Sequence, residues 1–353
     1  MHLFTPFEVR EVTARNRVML SPMCQYSCEA GDGLATDWHR VHLGSRAVGG
    51  AGIVMTEATA VTPRGRISPQ DLGIWSDAHA EALSPAAAFV ADHGAVPAIQ
   101  LAHAGRKASK RRPADGSDPI HGDDGWTPVG PTAEPWPHGE PLETERLSTD
   151  AIAGLVDDWA AAAERAVDAG FEVLEVHAAH GYLLHAFRSP VTNTREDAYG
   201  GDFEGRTRLL REVVDAVPGS VPLFVRTSAT DWLPDRESWT VDDSARLAAD
   251  LGPLGVDLVN VSAGGVHPDQ EGPDTGPHYQ VPYSERVAES GVPVGAVGGI
   301  TTPEGVDAIV RNGRADLVVV GREHLRDPYF AIRAAQQLGN EAPVPRQYTR
   351  GFE

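Results

Sequence analysis

The 353-residue sequence predicts a single-domain α/β fold, the eight-stranded parallel (β/α)8 or TIM barrel. One observation is a rhythm in which helical segments end in Gly and an apolar run follows within a few residues, as buried parallel strands require. The other is a pair of glycine-ended runs near the C-terminus, VPVGAVGGI with Gly298 and Gly299, then ADLVVVGR with Gly321 and Arg322. Backbone this bare lets N–H groups approach a phosphate, and the last two strands of such a barrel commonly do so.

Taken in order, the strands are RVML near Val18, GIVMTEA near Val54, AVPAIQL after Gly94 and FEVLEVH after Gly170. VPLFVRTSA after Gly219, VDLVNVSAG after Gly255, VPVGAVGG after Gly291 and ADLVVVG after Gly313 complete the eight. Each of these glycines reads as a helix C′ stop. Among the helices, Ile152, Leu155, Val156, Trp159, Ala163 and Val167 fall on one face behind the capping candidates Ser148 and Thr149. Thr302-Pro303-Glu304 opens another with a cap and a proline at its first position.

The length suits one barrel, residues 1–353, carrying an insertion. That insertion follows the third strand, residues 108–147, and is rich in Pro, Gly and charge; it reads as an ordered lid or small hairpin over the mouth, the alternative being a disordered loop. Neither a leader-like N-terminus nor an apolar run of membrane-spanning length is visible, so a soluble, cytoplasmic protein is expected. Only Cys24 and Cys28 occur, which excludes a disulfide framework, a four-Cys zinc site and an all-Cys iron–sulfur cluster.

Fifty acidic residues face 30 basic ones, for a formal net charge of −20, which makes nucleic acid and anionic membranes poor partners. Lysine is nearly absent, Lys107 and Lys110 being the only two. Such a balance fits a halophilic, salt-rich cytoplasm that screens carboxylate repulsion, with codon bias toward Arg as the competing explanation.

In this fold chemistry sits at the C-terminal ends of the strands. The first is followed by SPMCQYS, with Ser21, Cys24 and Tyr26; the third ends in Gln100 before LAHAGRK; the fourth ends EVHAAHGY, with His177, His180 and Tyr182; the fifth carries Arg226 and Ser228. Two readings of this cluster compete. The histidines could be metal ligands of a barrel hydrolase, although neighbouring strand ends offer Gln100, Arg226, Ser262 and Gly298 rather than further ligands. Alternatively they could donate hydrogen bonds to a carbonyl oxygen that becomes negative, with Tyr182 as proton donor and an organic cofactor held by the phosphate site.

SPMCQYS, IQLAHAGRK, EVHAAHGYLLHAFRSPVTNTREDAYGG, FVRTSATDW, VGGI and VVVGR together closely resemble the old yellow enzyme family of flavin-dependent ene-reductases, in particular its thermophilic-like subclass. The similarity runs from Leu3 to the terminal QYTRGF. The resemblance implies FMN across the mouth, with Ser21, Pro22, Met23 and Cys24 along its edge, Ala58 near the ring, and Gln100 and Arg226 at the pyrimidine side. Gly298, Gly299, Gly321 and Arg322 would hold the phosphate. His177 and His180 would hold the carbonyl oxygen of an α,β-unsaturated substrate while its β-carbon takes hydride, and Tyr182 would protonate the α-carbon. Tyr26 would flank the substrate and Cys24 tune the flavin potential. NADPH or NADH would be the reductant at the same site, in ping-pong turnover. The tail, residues 340–353, would lie at a subunit interface of a homodimer or dimer-based tetramer, with Arg350 reaching a neighbour's substrate pocket.

Of the remaining residues, Lys107 is expected just behind the site, His103 as a structural histidine, and His39 and His185 as helix-borne and unconnected with the chemistry; Met23 could simply pack. No strand–GxGxxG–helix unit is visible, so no second dinucleotide domain is expected. A metal-dependent hydrolase remains the alternative, and a flavin-binding sensor without efficient turnover a third.

The acid excess carries its own test. The Debye length falls from about 10 Å at 0.1 M salt to about 3 Å at 1 M, so self-repulsion should fade across that range. Melting temperature should therefore rise from low to molar KCl, and a flat or falling trend would leave codon bias as the explanation.

Overall fold

The computed structural model describes residues 1–352. Eight strands lie where the apolar runs place them: β1 (Val18–Leu20), β2 (Ile53–Ala60), β3 (Val96–Ala102), β4 (Val173–Ala178), β5 (Leu223–Ser228), β6 (Val256–Ser262), β7 (Val294–Ala296) and β8 (Leu317–Val320). They are parallel throughout and close into a barrel in chain order, β8 pairing with β1. Among the described residues ten α-helices accompany them: α1 (Asp37–Val48), α2 (Asp77–Asp92), α3 (Thr149–Asp168), α4 (Leu183–Arg188), α5 (Phe203–Ala216), α6 (Val241–Leu251), α7 (Val281–Ala288), α8 (Pro303–Arg311), α9 (Arg322–Arg326) and α10 (Phe330–Gln337). None is long and apolar enough to cross a membrane.

Local chemistry explains most boundaries. Ser148 caps α3 by accepting the Ala151 N–H, and Thr302 caps α8 in the same way ahead of Pro303. Gly94, Gly170, Gly255, Gly291 and Gly313 all take positive φ before their strands. Gly219 departs from this pattern. The helix before it, α5, ends at Ala216 because Val217 turns extended ahead of Pro218, so the proline stops the helix and no left-handed glycine is used.

Every second strand residue faces the lumen. Met19, Met55, Ala98, Phe224, Leu258 and Val319 fill its middle, and Phe7 and Ala14 join the same apolar cluster. Those two belong to an N-terminal hairpin, Phe7–Val9 with Val12–Ala14, which the sequence reading did not anticipate. It closes the floor of the barrel, leaving the C-terminal strand ends as the open face.

The insertion after β3 is ordered but is not a hairpin. Its two short strands, Val129–Gly130 and Glu145–Arg146, pair in parallel, since the Pro-rich chain between them is long enough for a crossover. Val129 and Leu147 are buried in the main core, and the Arg195 guanidinium donates to the carbonyls of Pro131 and Leu147 at 2.9 and 2.7 Å. Trp126 donates its indole N–H to Arg64. Arg112 reaches the carbonyl of Tyr26 and so ties the insertion to the segment after β1.

Candidate active site

The lumen becomes polar one level above the apolar layer. Glu175 of β4 is fully buried there and accepts hydrogen bonds from the side-chain amides of Gln100, at 2.7 Å, and Asn260. Asn260 fits only because residue 295 is Gly, whose added Cβ would lie 1.8 Å from the Asn260 Oδ1. Burial raises the Glu175 pKa, and the neighbouring Arg226 opposes the shift. Arg226 itself is 5 % exposed, donates to the Ser21 hydroxyl at 3.2 Å and keeps its Nε–H buried without a partner. Glu175 was missed from the sequence, although period-two alternation back from His177 places it on the same inward face.

His177 pairs in register with Arg226. Its Nδ1 accepts the Ala179 N–H at 3.2 Å, which leaves the proton on Nε2, and that nitrogen lies 3.4 Å from the Nδ1 of His180. The Nε2 of His180 in turn lies 2.8 Å from the Ser262 hydroxyl. Burial holds both imidazoles well below their ordinary range and the Arg226 charge adds to this, so both are neutral near pH 7. The Tyr182 ring stands edge-on to His177 with centroids 5.1 Å apart. Burial pushes its phenol well above the ordinary tyrosine range, so it keeps its proton.

The β1 end completes the wall. Cys24, Tyr26, Tyr182 and Trp126 pack around Ile67, Ala104 and Ala108. Burial raises the Cys24 thiol well above its usual pKa, reinforced by Asp71 and Glu57, which makes it a poor nucleophile. Ala58 lies beside Gln100 in the β2–β3 register. The half-buried Met23 packs against the Leu20 and Leu43 cluster, and Ser21 and Met23 both approach Gly321. Pro22 is half-buried between them.

Farther round the mouth, Gly298, Gly299, Gly321 and Arg322 line one cavity of about 270 Å³, together with Gly276 and Arg326. Gly298 and Gly299 have φ of 114° and 64°, and a Cβ on Gly299 would lie 2.3 Å from the Gly276 carbonyl. A glycine-walled hollow flanked by two guanidinium groups suits a phosphate, and the unspent buried N–H of Arg226 suits an acceptor on a flat polar ring. The residues present therefore fit FMN.

Lys107 sits where expected, behind the histidines. Its ammonium donates to the carbonyls of His180 and Gly265 at 2.8 and 3.0 Å, and burial first, then Lys110 and Arg106, bring its pKa down to about 7. His103 is buried and accepts the Gly105 N–H, a structural role. His39 lies on α1, 3.3 Å from Glu57. Arg350 lies on the exposed turn Arg346–Gly351 and makes no ion pair among the described residues. Among those residues no group of three or more His, Cys, Asp or Glu is placed to hold a metal ion.

Residues 2–341 match the NADH:flavin oxidoreductase / NADH oxidase family. The chain belongs to this family. It is 44% identical over 353 residues to an NADPH dehydrogenase of Geobacillus thermodenitrificans, covering 99% of this chain and 98% of that one. An NADPH dehydrogenase of Bacillus cytotoxicus is equally similar, at 44% over 351 residues and 96% of its length. Among solved structures, morphinone reductase superposes with a TM-score of 0.79 at 27% identity, covering 97% of this chain and 90% of that one. The old yellow enzyme homologue from Zymomonas mobilis gives 0.77 at 27%, with 97% and 94% coverage. The family is thus one of flavin-dependent, old yellow enzyme-like oxidoreductases on a TIM barrel.

The polar layer of the lumen should be costly to break. Glu175→Leu strands two amide donors and removes the charge opposite Arg226, and should cost about 3–5 kcal/mol in denaturant unfolding. Glu175→Gln, which keeps one acceptor, should cost about 1–3 kcal/mol. Unchanged unfolding midpoints would contradict this reading of the layer.

Proposed function

We propose that this chain is an FMN-dependent ene-reductase that uses NADPH or NADH to reduce the C=C bond of α,β-unsaturated carbonyl compounds, both reactants taking turns at one site. The observation that carries the reading is the grouping of two neutral imidazoles with a protonated phenol at the mouth of a flavin-family barrel. Bound FMN would supply hydride acceptance from the nicotinamide and hydride donation to the alkene.

The remaining chemistry belongs to the chain. His177 and His180 present ring N–H groups to the substrate's carbonyl oxygen, and their neutrality means that they polarise it without consuming a proton. Tyr182 delivers a proton to the α-carbon, which its raised pKa permits because it remains protonated until the carbon becomes basic. Tyr26 walls the substrate side, and Cys24, packed with Tyr26 against the Ile67, Ala104 and Ala108 cluster, modulates the cofactor's potential. Gln100 has one N–H committed to Glu175, leaving its carbonyl and second N–H for the flavin pyrimidine beside Arg226. Gly298, Gly299, Gly321 and Arg322 would hold the FMN phosphate.

The purified protein should be yellow and release FMN on denaturation, and Arg322→Ala should weaken retention by about 1.5–3 kcal/mol, the range for hydrogen bonds to charged groups. His177→Ala and His180→Ala should each slow reoxidation of the reduced enzyme by cyclohexenone about 10²–10³-fold while FMN stays bound. Tyr182→Phe should slow only substrates that need protonation at carbon. Wild-type rates in all three variants would rule out the carbonyl clamp.

The same reading extends to assembly, following the thermophilic-like resemblance. We propose a homodimer or dimer-based tetramer in which Arg350 completes a neighbour's substrate pocket, supported by an exposed turn that leaves Arg350 without an ion pair of its own among the described residues. Deleting residues from Tyr348 onward should raise KM for the enone with FMN retained. A fully active monomer in light scattering would refute the arrangement.

A further inference from the structure

His180 is a non-glycine residue in the left-handed region, with φ of 57°, and Gly181 follows it at φ 74°. Backbone of this kind persists where its surroundings over-determine it. Here three polar groups of the turn are held by side chains. The His180 N–H donates to the Ser228 hydroxyl at 3.0 Å, and the His180 carbonyl accepts from Lys107 at 2.8 Å. The N–H of Gly181 donates to the Nδ1 of His185 at 2.9 Å. Gly181 also packs so closely on Gly265 that a Cβ would lie 2.1 Å from its carbonyl.

The third of these contacts has a built support. Because Nδ1 of His185 accepts, the ring proton is on Nε2, which donates to the Asp231 Oδ1 at 2.7 Å; both side chains are fully buried. The other Asp231 oxygen accepts from the Ser189 hydroxyl at 2.6 Å and the Trp239 N–H at 2.9 Å. Burial alone would raise the Asp231 pKa, but the hydrogen bonds from His185 and these groups outweigh it, so the carboxylate stays charged. The tautomer of His185 is thereby fixed from the far side, as a buried carboxylate commonly does for an imidazole.

We propose that His185, oriented by Asp231, is a positioning residue: it anchors the Gly181 amide and so sets where the His180 ring and the Tyr182 phenol point. This corrects the expectation that His185 is unconnected with the chemistry, and it rests on the ene-reductase reading. His185 touches neither substrate nor flavin in that reading. It acts through the turn between two residues that do.

The test uses the FMN-loaded enzyme with His185→Leu and His185→Asn, whose shorter side-chain carbonyl can still accept at the Nδ1 position. Each variant is reduced anaerobically, then mixed with cyclohexenone or with ferricyanide, which reoxidises flavin without a carbonyl clamp. The limiting rate with cyclohexenone should fall about 10²-fold in His185→Leu, the order of loss expected from a misplacement of about 1 Å. The ferricyanide rate should hold, His185→Asn should recover most of the enone rate, and hydrogen exchange of the 179–184 segment should quicken only in His185→Leu. A wild-type enone rate in His185→Leu, or equal loss with both oxidants, overturns the proposal. If the wild-type enzyme itself is not reoxidised by cyclohexenone, the functional reading fails instead, and unchanged exchange at Gly181 in His185→Leu then overturns the positioning role independently.

Discussion

The rest of the site depends on one buried constraint, the charged layer that caps the barrel lumen. Apolar side chains close the barrel from the Phe7 floor to the level of Met19, Phe224 and Leu258, and there Glu175 accepts from Gln100 and Asn260 while the charge of Arg226 on the neighbouring strand acts on it. Neither charge could stay at that depth alone. Their mutual presence lets Arg226 keep its Nε–H unpaired while its charge is balanced by Glu175. A barrel of this shape with an apolar layer at the same level would fold as well or better, but it would offer nothing to a polar ring lying across its top.

Above this layer the histidine pair is kept uncharged by burial and by the same arginine. In the proposed reaction, the Arg226 charge that would suit an electron-rich cofactor also keeps the histidine pair in its neutral form. The backbone strain at His180 belongs to the same design, because loops from β3, β4, β5 and β6 all contribute to holding one turn. Such sites are expected to violate local sequence preference and to be supported from several elements at once.

The fold was legible because parallel strands buried on both faces write themselves as apolar runs, and because left-handed glycines end most of the helices before them. Gly219 misled because the same glycine-before-strand pattern arises after a pre-proline stop, which a glycine count does not separate. The hairpin under the barrel was missed because its strands are three residues each, too short to show a period. At the mouth, His177, His180, Tyr182, Cys24 and Arg226 were legible as polar residues gathered at strand ends. Glu175 was hidden inside an apolar run, and the tie between His185 and Asp231 joins the helix after β4 to the loop after β5, so neither residue reports it alone. The parallel pairing inside residues 108–147 likewise depends on contacts with Arg195 that sequence spacing does not encode.

Following two hydrogens into the product tests the proposed arrangement of His177, His180 and Tyr182. Cyclohexenone would be turned over by the enzyme with NADPH carrying deuterium in its nicotinamide ring, and separately with unlabelled NADPH in heavy water, and the products compared by NMR. Hydride delivery to a clamped enone with proton delivery from Tyr182 requires the cofactor's deuterium at the β-carbon and the solvent's at the α-carbon of cyclohexanone. Deuterium at the carbonyl carbon, an alcohol product, or solvent label at the β-carbon would contradict the arrangement of His177, His180 and Tyr182 described above.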